Sequence, residues 1–285
     1  MGIADSKARD GAYAPESVDT VADAPTLMEG NIDFDALSAS LVGLKGTLDK
    51  NPKSAAIILA GGSGERFGRE GGKQLVEVAG KPVLTWSAES FDAVGDVGLI
   101  VVVCPEDRQE EYLKRAIDPF PFVTPVVVAP SGPTRQESSF SGLEYVPEEF
   151  EFVAVHDGAR PLVRPEVIAH AIATVKGNPE CDGAIVATPA VDTLKVVEHG
   201  VVAGTPDRNV FWLAQTPQVF RTGIIRRAHA AALSDGFVGT DDSSLIERLG
   251  GRVLVVEGSR DNFKLTVPED LEMLEASVQK MYRQQ

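Results

Sequence analysis

LAGGSGERFGREGGKQ, residues 59–74, takes over from the end of an apolar run, AAIILA at 55–60. The run is short, continuous and β-branched at its centre, the pattern of a strand covered on both faces of a parallel sheet. The loop after it therefore sits where such sheets bind ligands, beyond the carboxyl end of a strand. Gly61, Gly62 and Gly64 carry no side chain. The backbone of Ala60, Gly61, Gly62, Ser63 and Gly64 can thus approach a ligand closely and aim several N–H groups at it. Arg66 and Lys73 add positive charge, which is what a triphosphate needs. Two better-known phosphate loops are excluded. Phe67 stands where either fingerprint requires glycine, and Gln74 replaces the hydroxyl residue of a nucleotide-binding P-loop. The plain alternative is a glycine-rich turn with no ligand, and the nearby pair Arg66 and Lys73 weighs against it.

Further along, the same strand texture recurs at 98–104, 125–129, 152–156 and 183–188, alternating with helical patterns at 82–93, 106–117, 134–145 and 165–176. Thr134 and Glu137 have capping-box spacing. This alternation predicts an α/β fold, a doubly wound and mostly parallel sheet. After Thr188 the rhythm breaks. Residues 193–197 and 200–203 predict a hairpin that projects from the sheet. Helices follow at 221–233 and 241–249, then a strand at 252–256. Thr266-x-Pro-Glu269 reads as a second capping box opening the last helix. The main domain spans 51–285. Residues 1–50 read as a disordered extension rich in small and polar residues, with a short amphipathic helix at 33–48 carried by Phe34, Leu37, Leu41 and Leu44.

Bulk properties narrow the function. A net charge of -15 argues against nucleic acid as a partner, because a phosphate backbone needs a basic face. No apolar run reaches the ~18 residues of a membrane span, and the N-terminus has no signal-peptide pattern. Cys104 and Cys181 show no metal-binding spacing and read as core thiols in a reducing cytoplasm.

Three further stretches carry candidate chemistry. In VHDGARPLV (155–163), Asp157 ends a strand and Arg160 follows. An acid there suits Mg²⁺, which takes few carboxylates plus phosphate oxygens; equally, an Asp–Arg pair can simply fix a loop. His156 reads as structural. In SGPTRQES (131–138) a turn opens a helix N-terminus, which favours anions or a polar base edge, with Arg135 and Ser138 facing it. Arg208 and Lys264 are lone cations whose spacing alone says only solvated charge. No Ser-His-Asp or Cys-His set is present.

Taken together, LAGGSGERFG…KQ, TRQESS, HDGARP, VDTLK, TPDRN…LAQTPQ, TDDSSL and VEGSRDNFKLTVPEDL resemble the 2-C-methyl-D-erythritol 4-phosphate cytidylyltransferase family over roughly 54–282. The resemblance implies a Rossmann-like nucleotidyltransferase sheet and a homodimer exchanging an arm, here about 190–214. It implies CTP, a small sugar-alcohol phosphate and Mg²⁺ as partners. Arg66, Lys73 and Lys264 then correspond to the catalytic cations. Arg135 and Ser138 match the cytidine pocket, and Asp157 matches the acid near metal and substrate. Arg160, Thr193 and Arg208 correspond to substrate contacts, some given by a partner's arm. A ribitol-5-phosphate cytidylyltransferase is the near alternative, and a non-catalytic nucleotide-binding module the distant one. The chain departs from the usual pattern at Gly61, at Gly72 where Pro commonly precedes the lysine, at Gly158 and at Val191.

Overall fold

In this computed structural model β1 (Ser54–Leu59) is buried along its whole length, as an unalternating apolar run requires. The structure describes residues 53–62, 67 and 72–284. The expected extension at 1–50 with its helix at 33–48 lies outside the described residues, as do Ser63, Gly64 and Arg66. From β1 the chain passes through a small antiparallel pair, β2 (Glu77–Val78) and β3 (Lys81–Pro82), into α1 (Val83–Asp92) and β4 (Val97–Cys104). The expected helix at 106–117 is broken into a 3-10 turn (Glu106–Arg108), a single turn α2 (Gln109–Tyr112) and a π turn (Leu113–Ile117). Next come β5 (Val126–Pro130), α3 (Arg135–Glu144), β6 (Phe152–Asp157), α4 (Pro165–Gly177) and β7 (Gly183–Pro189).

The projecting hairpin is β8 (Val196–Glu198) and β9 (Val201–Gly204), turning through His199 and Gly200, both at positive φ. Then follow β10 (Trp212–Arg221), α5 (Thr222–Ser234), α6 (Asp242–Arg248), β11 (Val253–Glu257) and α7 (Asp270–Gln284). One seven-stranded sheet results, in the order β11-β7-β10-β6-β1-β4-β5. Every pairing in it is parallel except those of β10, which runs antiparallel between β6 and β7. Helices α1 and α4 pack together on one face, and α3, α5 and α6 on the other.

One strand was missed and one expectation needs correction. Periodicity did not announce β10, because a central strand should exclude proline. Pro217 is tolerated because pairing with β7 lapses between Ala214 and Gln218, so no ladder bond is asked of it. The second capping box does not form. The last helix begins at Asp270, whose carboxylate accepts the N–H groups of Thr266 and Val267, while the Thr266 hydroxyl donates to the Lys264 carbonyl. Glu269 takes no capping role. The box at Thr134 and Glu137 is present with both its hydrogen bonds.

Gly142 shows how tightly α3 lies on the sheet. A Cβ there would come 2.5 Å from Cγ2 of Ile57 and 2.9 Å from Cγ2 of Val103. Gly142→Ala gains about 1 kcal/mol of helix propensity, but overpacking a core costs about 1–3 kcal/mol. Urea unfolding is expected to show a net loss of roughly 1 kcal/mol, and a variant more stable than the parent would refute this packing argument.

Candidate active site

A cleft of about 660 Å³ opens at the carboxyl ends of β1 and β6. Gly61 and Gly62 form one wall as β1 runs out, and Gly132 to Arg135 form another. The two loops meet so closely that a Cβ on Gly61 would lie 2.2 Å from that of Ser131. A Cβ on Gly132 would lie 2.5 Å from that of Glu137. Absence of side chains is therefore a condition of this cleft's shape. Ser138 ties the second loop together: its hydroxyl donates to the Thr134 carbonyl and accepts the Gly132 N–H.

Asp157, the last residue of β6, lies at the floor of the cleft. Lys264 approaches its Oδ2 at 2.9 Å, Arg160 the same oxygen at 3.6 Å, and Arg135 its Oδ1 at 3.4 Å. Burial alone would raise this carboxyl. Lys264, then Arg135 and Arg160, outweigh it and hold Asp157 well below the usual carboxylate range. Lys73 donates from the other side to the Leu265 carbonyl. Among the described residues the lining thus carries Lys73, Arg135 and Lys264 against one carboxylate. Such a surface receives an anion more negative than itself.

The segment bearing Lys264 is held by its backbone. Leu265 N–H donates to the Ala159 carbonyl, the Arg160 guanidinium donates to the Asn262 carbonyl, and the Asn262 amide donates to Gln215 and to the Thr216 carbonyl. Thr216 of β10 also fixes Asp157, since its hydroxyl accepts the Asp157 N–H. Its own proton then goes to Nδ1 of His156, and Nε2–H of His156 goes to the Arg160 carbonyl. His156 is fully buried and neutral, its pKa pushed down to about 4 chiefly by burial. It acts as the strut its sequence context suggested, and is not placed to act as a base.

The structure brings Gly61, Gly62, Lys73, Arg135, Ser138, Asp157 and Lys264 around one cleft. Ala60 is buried behind the wall, its N–H donating to the Val103 carbonyl and its carbonyl accepting the Tyr112 hydroxyl. Arg160 backs Asp157 and does not line the opening. Thr193 and Arg208 lie exposed on the arm, away from their own chain's cleft, and Arg208 donates to the Val191 carbonyl.

Sequence reasoning passed over Asp242 and His229. Asp242 is buried, bonds Arg135 at 2.6 Å and His229 at 3.0 Å, and has its pKa lowered to about 2, with burial overcome by Arg135 and then His229. It anchors the guanidinium that leans on Asp157. The only signal in the sequence was the doubled acid of TDDSSL, which burial explains. Asp241 alone caps α6, and a second acid that caps nothing and is buried needs a cation.

The shifted His156 gives a sign for acid stability. The folded chain refuses a proton that the unfolded chain accepts near the ordinary value of 6.5. Its contribution is complete above about pH 6.5 and lost as pH falls towards about 4. Denaturant titrations across that window are expected to show this decline in the parent and a shallower one in His156→Asn. Equal slopes would remove His156 as the cause.

Against known proteins, the family model for 2-C-methyl-D-erythritol 4-phosphate cytidylyltransferase matches residues 54–280. A relative of that name from Syntrophotalea carbinolica is 42% identical over 221 residues, covering 77% of this chain and 94% of that protein. One from Caldanaerobacter subterraneus is 40% identical over 227 residues, covering 79% and 99%. Among solved structures, the 4-diphosphocytidyl-2C-methyl-D-erythritol synthase of Anaerococcus prevotii superposes with a TM-score of 0.70 at 29% identity, covering 79% of this chain and 96% of that one. The Francisella tularensis cytidylyltransferase superposes at 0.66, also at 29% identity, covering 79% and 99%. With its glycine walls, its carboxylate at the end of β6 and its encircling cations, this chain belongs to the 2-C-methyl-D-erythritol 4-phosphate cytidylyltransferase family.

Proposed function

We propose that the chain transfers the cytidylyl group of CTP to 2-C-methyl-D-erythritol 4-phosphate, giving 4-diphosphocytidyl-2-C-methyl-D-erythritol and pyrophosphate. The observation that carries this reading is the cleft of a family member in which Lys73, Arg135 and Lys264 gather round Asp157. A phosphate monoester has a second pKa of about 6 and is already anionic at neutral pH. No general base is needed, which agrees with a buried, neutral His156. The difficulty lies in bringing two anions together in line.

An acceptor phosphate oxygen attacks the α-phosphorus. The new P–O bond forms as the bond to the bridging α–β oxygen breaks, and pyrophosphate leaves with that electron pair. Positioning and fixed charge dominate such transfers. In this reading the backbone from Gly61 to Gly64 cradles the triphosphate, with Ala60 only supporting it from behind, and Arg66 and Lys73 neutralise it. Arg135 and Ser138 face the nucleoside, and Lys264 spans the α-phosphate and the acceptor phosphate. Arg160 orients the 262–266 segment and Asp157 on the substrate side.

Mg²⁺ fits this site only as a companion of the nucleotide. Among the described residues no group of three or more His, Cys, Asp or Glu could hold a metal ion, and Asp157 is the acid in the lining. One carboxylate plus phosphate oxygens is a usual Mg²⁺ set. When bound, the ion would supply charge neutralisation on the leaving pyrophosphate.

The arm supports a homodimer. Val201 is 69% exposed and Val210 75%, and Phe211, Trp212 and Leu213 continue the apolar surface. Exposed apolar area of that kind marks an interaction surface. A second copy would cover it, and Thr193 and Arg208 would then serve the partner's cleft. The buried, unpaired thiols of Cys104 and Cys181 suit a reducing cytoplasm.

Pyrophosphate release from CTP is expected with 2-C-methyl-D-erythritol 4-phosphate and much less with ribitol 5-phosphate; the reverse preference would overturn the substrate assignment. Lys73→Ala and Lys264→Ala are expected to lower kcat by roughly two orders of magnitude or more with the fold intact, and near-normal turnover would sink those roles. Val201→Asp with Val210→Asp is expected to sediment as monomer and to lose activity with the sugar phosphate. A parent protein that is itself monomeric would remove the dimer from the reading.

A further inference from the structure

We infer that Gln74 is a further triphosphate-binding residue, its side-chain amide N–H donating to a non-bridging oxygen of the β- or γ-phosphate beside Lys73. The inference rests on the reading of the cleft as a triphosphate site. Gln74 is the second residue of the 3-10 turn Lys73–Leu75 and lines the cleft, yet it is only 2% exposed. A glutamine so deeply buried normally has both ends of its amide bonded. Here Oε1 is buried with no hydrogen-bond partner among the described residues. For packing alone, Leu or Met would fill the volume without that orphaned oxygen. A polar side chain kept in this place is explained by the other end of its amide, which reaches the cleft.

The surroundings say what. The amide lies between two glycines. A Cβ on Gly72 would fall 3.0 Å from Oε1, and a Cβ on Gly62 would fall 3.6 Å from Nε2. Gly62 is exposed and forms a cleft wall, so the donor end faces the cleft and the acceptor end faces the protein. Gly72 adopts φ 77, which no proline can reach, and that backbone leaves the amide its room. A free N–H next to a lysine ammonium is the donor set for an anion. The nucleoside walls, Gly132 and Ser138, belong to the other loop, so the anion met here is the polyphosphate.

Calorimetric titration with CTP and with CMP, at fixed magnesium, tests this. Gln74→Leu is expected to weaken CTP by about tenfold or more, the worth of one charge-assisted hydrogen bond, and to leave CMP within about twofold. Its thermal midpoint should stay level or rise, because the orphaned oxygen is gone; a purely structural glutamine would lower it. Gln74→Glu keeps the shape but opposes the phosphate with like charge, and should weaken CTP further than Leu does. Unchanged CTP affinity in both variants, or equal weakening of CTP and CMP, would overturn the inference. A parent protein that binds no CTP would overturn the reading of the cleft and this inference with it.

Discussion

One carboxylate organises this molecule. Asp157 is buried at the end of β6, where a lone charge would be intolerable without compensation. Lys264, Arg160 and Arg135 supply it, each from a different part of the chain. Much of the local architecture follows from delivering those cations. Asp242 and His229 hold Arg135 from the helical layer beyond. The 262–266 segment is bonded to Gln215, Thr216, Ala159 and Arg160 so that Lys264 arrives in place. The result is a positively lined cleft in a chain whose net charge is -15. Salt screens those acids that lie more than ~8 Å from it.

Local grammar made most of this legible. Continuous apolar runs marked β1, β4, β6 and β7, and glycine spacing marked the loop after β1. Residues sixty to two hundred positions apart were not joined by spacing, so Lys264 looked like a lone surface cation until the fold placed it on Asp157. Resemblance supplied that link where periodicity could not. The chain's own physics hid other parts. Gln215, Thr216 and Pro217 disguise β10 because their polar groups serve Asn262, Ser259 and Asp157, not a regular ladder. Asp242 was hidden because an acid at a helix start has an ordinary explanation in capping, and only burial shows that Asp241 had already met that need.

Gly72 carries a different lesson. Gly72 stands where the family commonly has proline. Its backbone at φ 77 instead selects a path that proline cannot follow, and that path sets the Gln74 amide under the glycine wall. A departure from a pattern can be a local rebuilding with its own partners.

β10 begins at Trp212 among exposed apolar residues of the arm and ends buried between β6 and β7. Thr216, whose hydroxyl holds the Asp157 main chain, lies four positions after Trp212. Arm and cleft therefore share one strand, with the lapse in its pairing with β7 lying between them. A substitution at the exposed arm end of β10 thus lies within a few positions of the residue that supports the floor of the cleft.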